Sequence, residues 1–276
     1  MTSRRGFLST SGAAMAAGAL STPASAATAA EDIKLGVASY TLREFSRAHA
    51  IRLLKKLGTS YVNIKEFHLP YRATREELAK GRADFEKAGL KILGGGTIYM
   101  QKNDEADVKF YFDYAKACGM PLMVIGPSAE SIGLIEKYAI KYDIKIALHN
   151  HGPEDKHIPT PQSALKLIKN MDPRMGLCID VGHTTRTGTD VVEAIAEAGP
   201  RLLDMHIKDL KDLMGKDSQC AVGDGKMPVV AIFKQLKKMN YQGAVMLEYE
   251  IEGDNPLPGM QKSFAYMRGV LAGLRG

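Results

Sequence analysis

Gly176-Leu177-Cys178-Ile179-Asp180-Val181-Gly182-His183, at residues 176–183, is the stretch from which the rest of the chain can be read. The apolar run over 175–181 has the length of a buried strand and gives way to an acid and an imidazole. An amphipathic segment follows at 189–198, then a second apolar run at 202–207 that passes into His206-Ile207-Lys208-Asp209. Strand, helix and strand in that order imply parallel pairing through a right-handed crossover.

The same unit recurs in both directions. Toward the N-terminus, apolar runs at 33–40, 61–67, 90–99, 121–126 and 145–149 alternate with helical segments. Those segments lie at 46–57, 74–88, 104–118 and 128–142, with a fifth beginning near Pro161. Gly58, Gly89 and Gly119 stand where helix C-terminal glycines belong. Toward the C-terminus, an irregular stretch at 211–228 precedes a helix at 229–239, a strand at 244–249 and a last helix at 259–274. Eight strand–helix units predict a single α/β domain over 33–276, a (β/α)8 TIM barrel.

The first residues read differently. Ser3-Arg4-Arg5-Gly6-Phe7-Leu8 has the pattern of a twin-arginine export signal, followed by a weakly apolar Ala/Gly-rich stretch. Ala24-Ser25-Ala26 is a small-x-small cleavage site, so residues 1–26 are expected to be a signal peptide and 27–32 a short tail. A membrane anchor needs about 20 strongly apolar residues, which this stretch lacks. The expected partner is the twin-arginine machinery and the expected location periplasmic or otherwise exported. That route carries folded proteins, often with a cofactor already bound. The net charge of +6 falls to +4 once Arg4 and Arg5 are removed, and the basic residues are spread out, so nucleic acid is not an expected partner. Cys118, Cys178 and Cys220 form no C-x-x-C pair. Cys178, inside its apolar run, reads as a small buried hydrophobe.

Polar residues gather where the strands end, which in such a barrel is the catalytic face. The five sites are Lys65-Glu66-Phe67-His68, His149-Asn150-His151-Gly152, Asp180-Val181-Gly182-His183, His206-Ile207-Lys208-Asp209 and Glu248-Tyr249-Glu250. Each alone is common; their conjunction on five strand ends predicts one convergent site. His149, Asp180, His206 and Glu248 come from four consecutive strands and can meet on one divalent ion. Imidazole and carboxylate together suit Mn²⁺ or Co²⁺ first, with Zn²⁺, Fe²⁺ or Mg²⁺ as alternatives. Asn150, His151 and Lys208 then support the ligands or touch substrate. A buried ion pair with Lys208 or Lys65 is the plainer alternative for Asp180 and Glu248, and it ranks below the metal reading because neutral imidazoles stand beside the acids.

With those residues placed, 33–276 resembles the xylose-isomerase-like barrel superfamily of sugar isomerases and epimerases. The resemblance rests on IALHNHG, GLCIDVGH, DMHIKD and MLEYE at the ends of strands five to eight. In the ketose 3-epimerases these strands supply Glu, Asp, His and Glu to one metal, which implies His149, Asp180, His206 and Glu248 here. His183 matches the family's substrate-binding histidine. The departure is His149, where the epimerases carry glutamate, and it weakens an epimerisation that needs a carboxylate on each face of the substrate.

The resemblance implies a metal-dependent isomerase or epimerase acting on a small polyhydroxy carbonyl compound through an enediolate. Glu248 is the first-choice base, with His183, Lys208, Lys65 and Glu66 available for proton transfer and His68, Asn150 and His151 for substrate contacts. Glu154 is a distant candidate for an additional ligand. A lyase eliminating a β-substituent from a keto-sugar is the alternative, and a sugar-binding barrel without turnover the second. A DNA-repair endonuclease would need more metal ligands and a basic face. The segment 211–227, with Gly215, Gly223 and Gly225, reads either as a substrate-covering loop or as a surface excursion. Gly94-Gly95-Gly96-Thr97 lacks the features of a phosphate loop and reads as close backbone packing or a tight turn. An oligomer remains open.

Overall fold

The computed structural model describes residues 33–275, so the expected leader over 1–26 and the tail over 27–32 lie outside the described residues. Eight parallel strands close a barrel. They are β1 (Lys34–Ala38), β2 (Tyr61–Ile64), β3 (Lys91–Met100), β4 (Leu122–Pro127), β5 (Lys145–His149), β6 (Met175–Asp180), β7 (Leu202–Ile207) and β10 (Ala244–Leu247). Each pairs with its neighbours in sequence, and β10 closes the ring onto β1. Helices follow the strands: α1 (Arg47–Leu57), α2 (Arg75–Lys87), α3 (Glu105–Cys118), α4 (Ile132–Tyr142), α5 (Pro161–Leu167), α6 (Val181–Arg186), α7 (Val191–Ala198), α8 (Val229–Lys238) and α9 (Leu257–Gly273). The irregular stretch contains a small antiparallel hairpin, β8 (Asp209–Leu210) with β9 (Gln219–Cys220).

Local chemistry starts and stops these elements. Thr74 and Glu77 form a reciprocal capping box at the start of α2. Gly58 and Gly119, both at positive φ, end α1 and α3. The large hydrophobic core lies where the strands' outward side chains meet the helices, with Phe85, Phe112, Phe233 and Phe264 fully buried in it. Inside the barrel, small sets such as Leu122, Val124, Ala147 and Cys178 fill the space beneath the catalytic face. Cys178 is buried there, as its apolar run suggests. Gly96, at φ +132°, lies so close to β4 that a Cβ would sit 2.0 Å from the Val124 carbonyl oxygen.

Among the boundaries that differ from the sequence reading, two reshape the rim. β2 stops at Ile64, and the Lys65 N–H turns away to donate to Ser39 Oγ at 2.8 Å. After β6 the chain enters α6 at once. Among the described residues, no helix is long and apolar enough to cross a membrane.

Candidate metal centre

Strand alternation builds the site. In β7 and the residue after it, Asp204, His206 and Lys208 share one side of the backbone at spacing two, and Asp180 pairs in register with His206. His149, Asp180, His206 and Glu248 are all buried, and each offers one ligand atom within 4.8 Å of the others. His149 Nε2 lies 3.0 Å from His206 Nδ1 and 3.8 Å from Asp180 Oδ2. His206 Nδ1 lies 3.4 Å from Glu248 Oε1. Two imidazoles and two carboxylates drawn from four strands form an N/O set of the kind that suits first-row divalent ions.

Asp180 shows how one side chain serves fold and site together. Its Oδ1 accepts the His183 N–H at 2.8 Å and caps α6, which leaves Oδ2 facing the cluster. Oδ2 accepts no hydrogen bond, although it is buried and Lys208 Nζ stands at ion-pair distance, 3.1 Å. Lys208 also reaches Glu248 Oε2 at 2.8 Å and Glu250 Oε2 at 3.3 Å, so one buried ammonium faces three carboxylates. Burial opposes its charge, but Asp180, Glu248 and Glu250 outweigh that and hold it well above the usual lysine range.

The other groups follow from the same balance. Burial works against the Glu248 carboxylate, yet Lys208 and His206 hold it well below its ordinary range. Burial pushes His149 well below the usual imidazole range, helped by His151 and His206, so it is a neutral nitrogen donor. His206 goes the other way: burial is overcome by Glu248, and the ring holds a proton more firmly than usual. Metal binding requires neutral imidazole and ionised carboxylate, so the His206 proton is the one a divalent cation would displace. The orphaned carboxylate oxygen and the neutral His149 fit a divalent metal. The alternative grouping of His149, Cys178 and His206 fits less well, because burial pushes the Cys178 thiol well above its ordinary range.

Supporting groups fix these ligands. Asn150 donates to Thr184 Oγ1 at 3.0 Å and accepts the Asp180 N–H at 3.0 Å, so it braces the end of β6 instead of facing substrate. The end of the 211–227 segment is tied down. Asp209 accepts backbone N–H groups from Leu210, Gly223, Gly225 and Met227 at 2.8–3.1 Å, and a Cβ on Gly225 would strike its carboxylate. Gln219 then spans from the hairpin to β10, donating to the Glu248 carbonyl at 2.6 Å and accepting the Glu250 N–H at 2.8 Å.

The remaining expected residues separate into three groups. His151 and His183 ring the four ligand side chains, and Lys65 stands near them within the electrostatic influence of Glu248, its Nζ donating to the Thr97 carbonyl at 2.8 Å. The His151 ring centroid is 4.3 Å from that of His149, and His183 is 6.2 Å away. Burial lowers the pKa of all three, while neighbouring carboxylates, Glu248 among them, raise it. Glu66 stands beside them, 4.0 Å from Lys65 Nζ, and accepts the Tyr71 hydroxyl at 3.1 Å. His68 belongs elsewhere. It is 1 % exposed, with Nδ1 3.0 Å from Ser39 Oγ and Nε2 3.1 Å from the Leu42 carbonyl, so neither nitrogen is open to substrate. Glu154 is paired with Arg186 and is not among the grouped ligands.

Sequence reading left Glu250, Gln219 and Tyr99 without roles. Glu250 was visible as the second acid in Glu248-x-Glu250. Gln219 and Tyr99 act through tertiary placement and carry no local signal.

The family profile for the xylose isomerase-like TIM barrel matches residues 51–270. The chain belongs to this family. Curated relatives include an inosose dehydratase of Clostridium beijerinckii, 25% identical over 224 residues, covering 72% of this chain and 71% of the relative. Another, from Clostridium botulinum strain Alaska E43, is 25% identical over 222 residues with the same coverage. Among solved structures, the IOLI protein with a bound zinc atom aligns at TM-score 0.74 and 19% identity, over 87% of this chain and 99% of that one. The 3-keto-D-glucoside 4-epimerase of E. coli aligns at TM-score 0.69 and 17% identity, over 86% and 99%. At those identities the structural matches speak for the fold alone.

Proposed function

We propose that the chain is a metal-dependent lyase of the dehydratase type, acting on a small polyhydroxy ketone. The observation that carries this is His149. A neutral imidazole stands at the end of β5, so the ligand set lacks the second carboxylate that a two-base epimerisation uses. The inosose dehydratase relatives support the same choice. A bound divalent ion would supply Lewis acidity toward the substrate carbonyl.

The chain's own residues do the rest. Glu248, held low by Lys208 and His206, is a weak base and a good ligand. The proton next to the carbonyl passes to Lys65, whose amine is brought down by burial at the rim. His183 assists departure of the β-hydroxyl. Arg186 Nη1 approaches His183 Nδ1 at 3.4 Å, and since arginine only donates, the ring hydrogen belongs on Nε2. Carbon loses a proton to Lys65, the resulting ammonium returns that proton to the departing β-hydroxyl while His183 Nε2–H hydrogen-bonds its oxygen, water leaves, and an enone remains. No redox partner is needed.

The test is incubation of metal-loaded protein with inosose in deuterium oxide. Rising enone absorbance with loss of one water is expected. Deuterium at the α-carbon without loss of water would replace this reading with isomerase or epimerase chemistry, for which Lys65 and Glu248 offer two proton carriers. Neither change, across a panel of keto-sugars, would leave a binding barrel. Residues 1–26 further support export as a proposal: replacing Arg4 and Arg5 by lysine is expected to hold the unprocessed chain in the cytoplasm.

A further inference from the structure

A cleft of about 480 Å³ opens beside the metal centre. Its inner wall is shared with the site: His151 and His183 line it, and their rings are the ones that approach His149. Its side wall is Tyr99, which stands at the end of β3 with 54% of its surface exposed. Tyr99 stacks on His151 with ring centroids 5.7 Å apart and planes 26° from parallel. Its hydroxyl lies 3.2 Å from His151 Nε2, so the ring is held in place while much of it faces solvent. Arg186, Lys156 and Lys216 add positive charge around the opening, and Lys216 projects from the tip of the β8–β9 hairpin. Arg186 pairs with Glu154, and Asp155 lies inward beside His151, 3.3 Å from its Nδ1, so the two lysines leave the cleft with a small positive excess at its outer edge.

A polyhydroxy ring held at the metal ligands needs hydroxyl contacts and ions. It does not need a fixed, half-exposed aromatic plane leading away from them. Such a plane recognises another flat apolar group, which gains from area burial and from offset stacking. Cationic groups at its far end favour electron-rich or anionic substituents. The volume is in the range of pockets that hold small organic ligands.

We propose that this cleft is a subsite for an aromatic substituent carried by the sugar, so that the substrates include aryl glycosides. This rests on the reading of the metal centre as the place where the sugar ring reacts. The aromatic ring lies along Tyr99, and the ammonium groups of Lys156 and Lys216 meet its outer substituents.

Binding tests this apart from turnover. Metal-loaded full chain is titrated calorimetrically with methyl, 4-nitrophenyl and 4-carboxyphenyl D-glucopyranosides, each as both anomers. The aryl glucosides are expected to bind at least about tenfold more tightly than the methyl glucosides, a margin equal to about 1.4 kcal/mol. Tyr99→Ala should erase the margin with metal content unchanged, and Tyr99→Leu should erase most of it while keeping side-chain bulk. Lys216→Ala should weaken the carboxyphenyl compound about threefold and the nitrophenyl compound hardly at all. Equal affinity of aryl and methyl compounds, an aryl margin that survives Tyr99→Ala, or no binding of any of them would overturn the proposal. Because the probes carry no ketone, an aryl margin without lyase activity on inosose or the panel of keto-sugars would leave the subsite standing and remove the dehydratase reading.

Discussion

The two halves of the barrel's catalytic rim are built to opposite specifications. On the side formed by β5, β6, β7 and β10, His149, Asp180, His206, Lys208 and Glu248 are buried and locked to one another. On the side formed by β1, β2 and β3, Phe67 and Tyr99 are 46% and 54% exposed, and Lys65 Nζ lies 5.6 Å and 5.9 Å from the ring centroids of Tyr40 and Tyr99. The first half spends its polar groups on each other and has a geometry set before any ligand arrives. The second half leaves aromatic surface open, so it must be completed from outside. On the proposed reading, metal holding belongs with the rigid half, and recognition with the open one, which also carries the Lys65 base.

The comparison breaks most sharply at Asp180. Asp180→Ala removes a ligand oxygen and the cap of α6 together, so metal content should collapse and kcat/KM should fall by about 10³-fold or more. Elemental analysis with a paired rate measurement decides it. Retained metal would mean that Asp180 is only a partner of Lys208.

Lys208→Met asks whether the rigid half is a charge balance. Without the ammonium, the buried Asp180 and Glu248 face each other, with the half-exposed Glu250 beside them, which should destabilise the metal-free protein by about 3–5 kcal/mol. Added Mn²⁺ or Co²⁺ supplies positive charge in the same place, so the variant's Tm should rise more on metal addition than the parent's. Equal shifts in the two proteins would contradict the balance.

A slightly smaller effect lies one layer deeper. Burial pushes Asp204 up to about 6, against 3.8 for the free group, although it accepts from Asn63 and Cys178. A carboxyl whose folded pKa is raised favours the fold in its protonated form. Its ionisation therefore erodes stability as pH rises from 3.8 through 6, and the full penalty, about 3 kcal/mol at most, is present above that window. Asp204→Asn should raise Tm at pH 8 and have little effect near pH 3.5. A gain of the same size at both pH values would show that charge is not the cause.

How much of this division was legible in the sequence depends on how local each signal is. The eight units and the convergence of His149, Asp180, His206 and Glu248 could be read because strand alternation and a polar strand end are short-range patterns. The short α6 could not, since Val181-Gly182-His183-Thr184-Thr185-Arg186 contains poor helix formers and is started by the Asp180 cap. The anchoring of 211–227 was hidden for a similar reason. Its glycines do not mark freedom; Gly223 and Gly225 give their N–H groups to one carboxylate. Gln219→Ala should therefore weaken metal binding about tenfold through Glu248, without loosening the hairpin. Unchanged metal affinity would confine Gln219 to the hairpin.

His68 gives the smallest expected effect and the clearest contrast with its neighbour. It follows Lys65 by three residues, and from sequence the two looked like parts of one site. The turn after β2 separates them: Lys65 faces the ligands, and His68 folds back to join Ser39 with the Leu42 carbonyl. His68→Gln should thus lower stability by about 1 kcal/mol through one strained or lost hydrogen bond. Metal content should not change, and kcat/KM should stay within about threefold. Lys65→Met should do the reverse, abolishing turnover with metal and Tm preserved. If His68→Gln lost activity at unchanged stability and metal content, the turn would be presenting both residues to substrate, and the open half of the rim would extend further around the barrel than its exposed rings indicate.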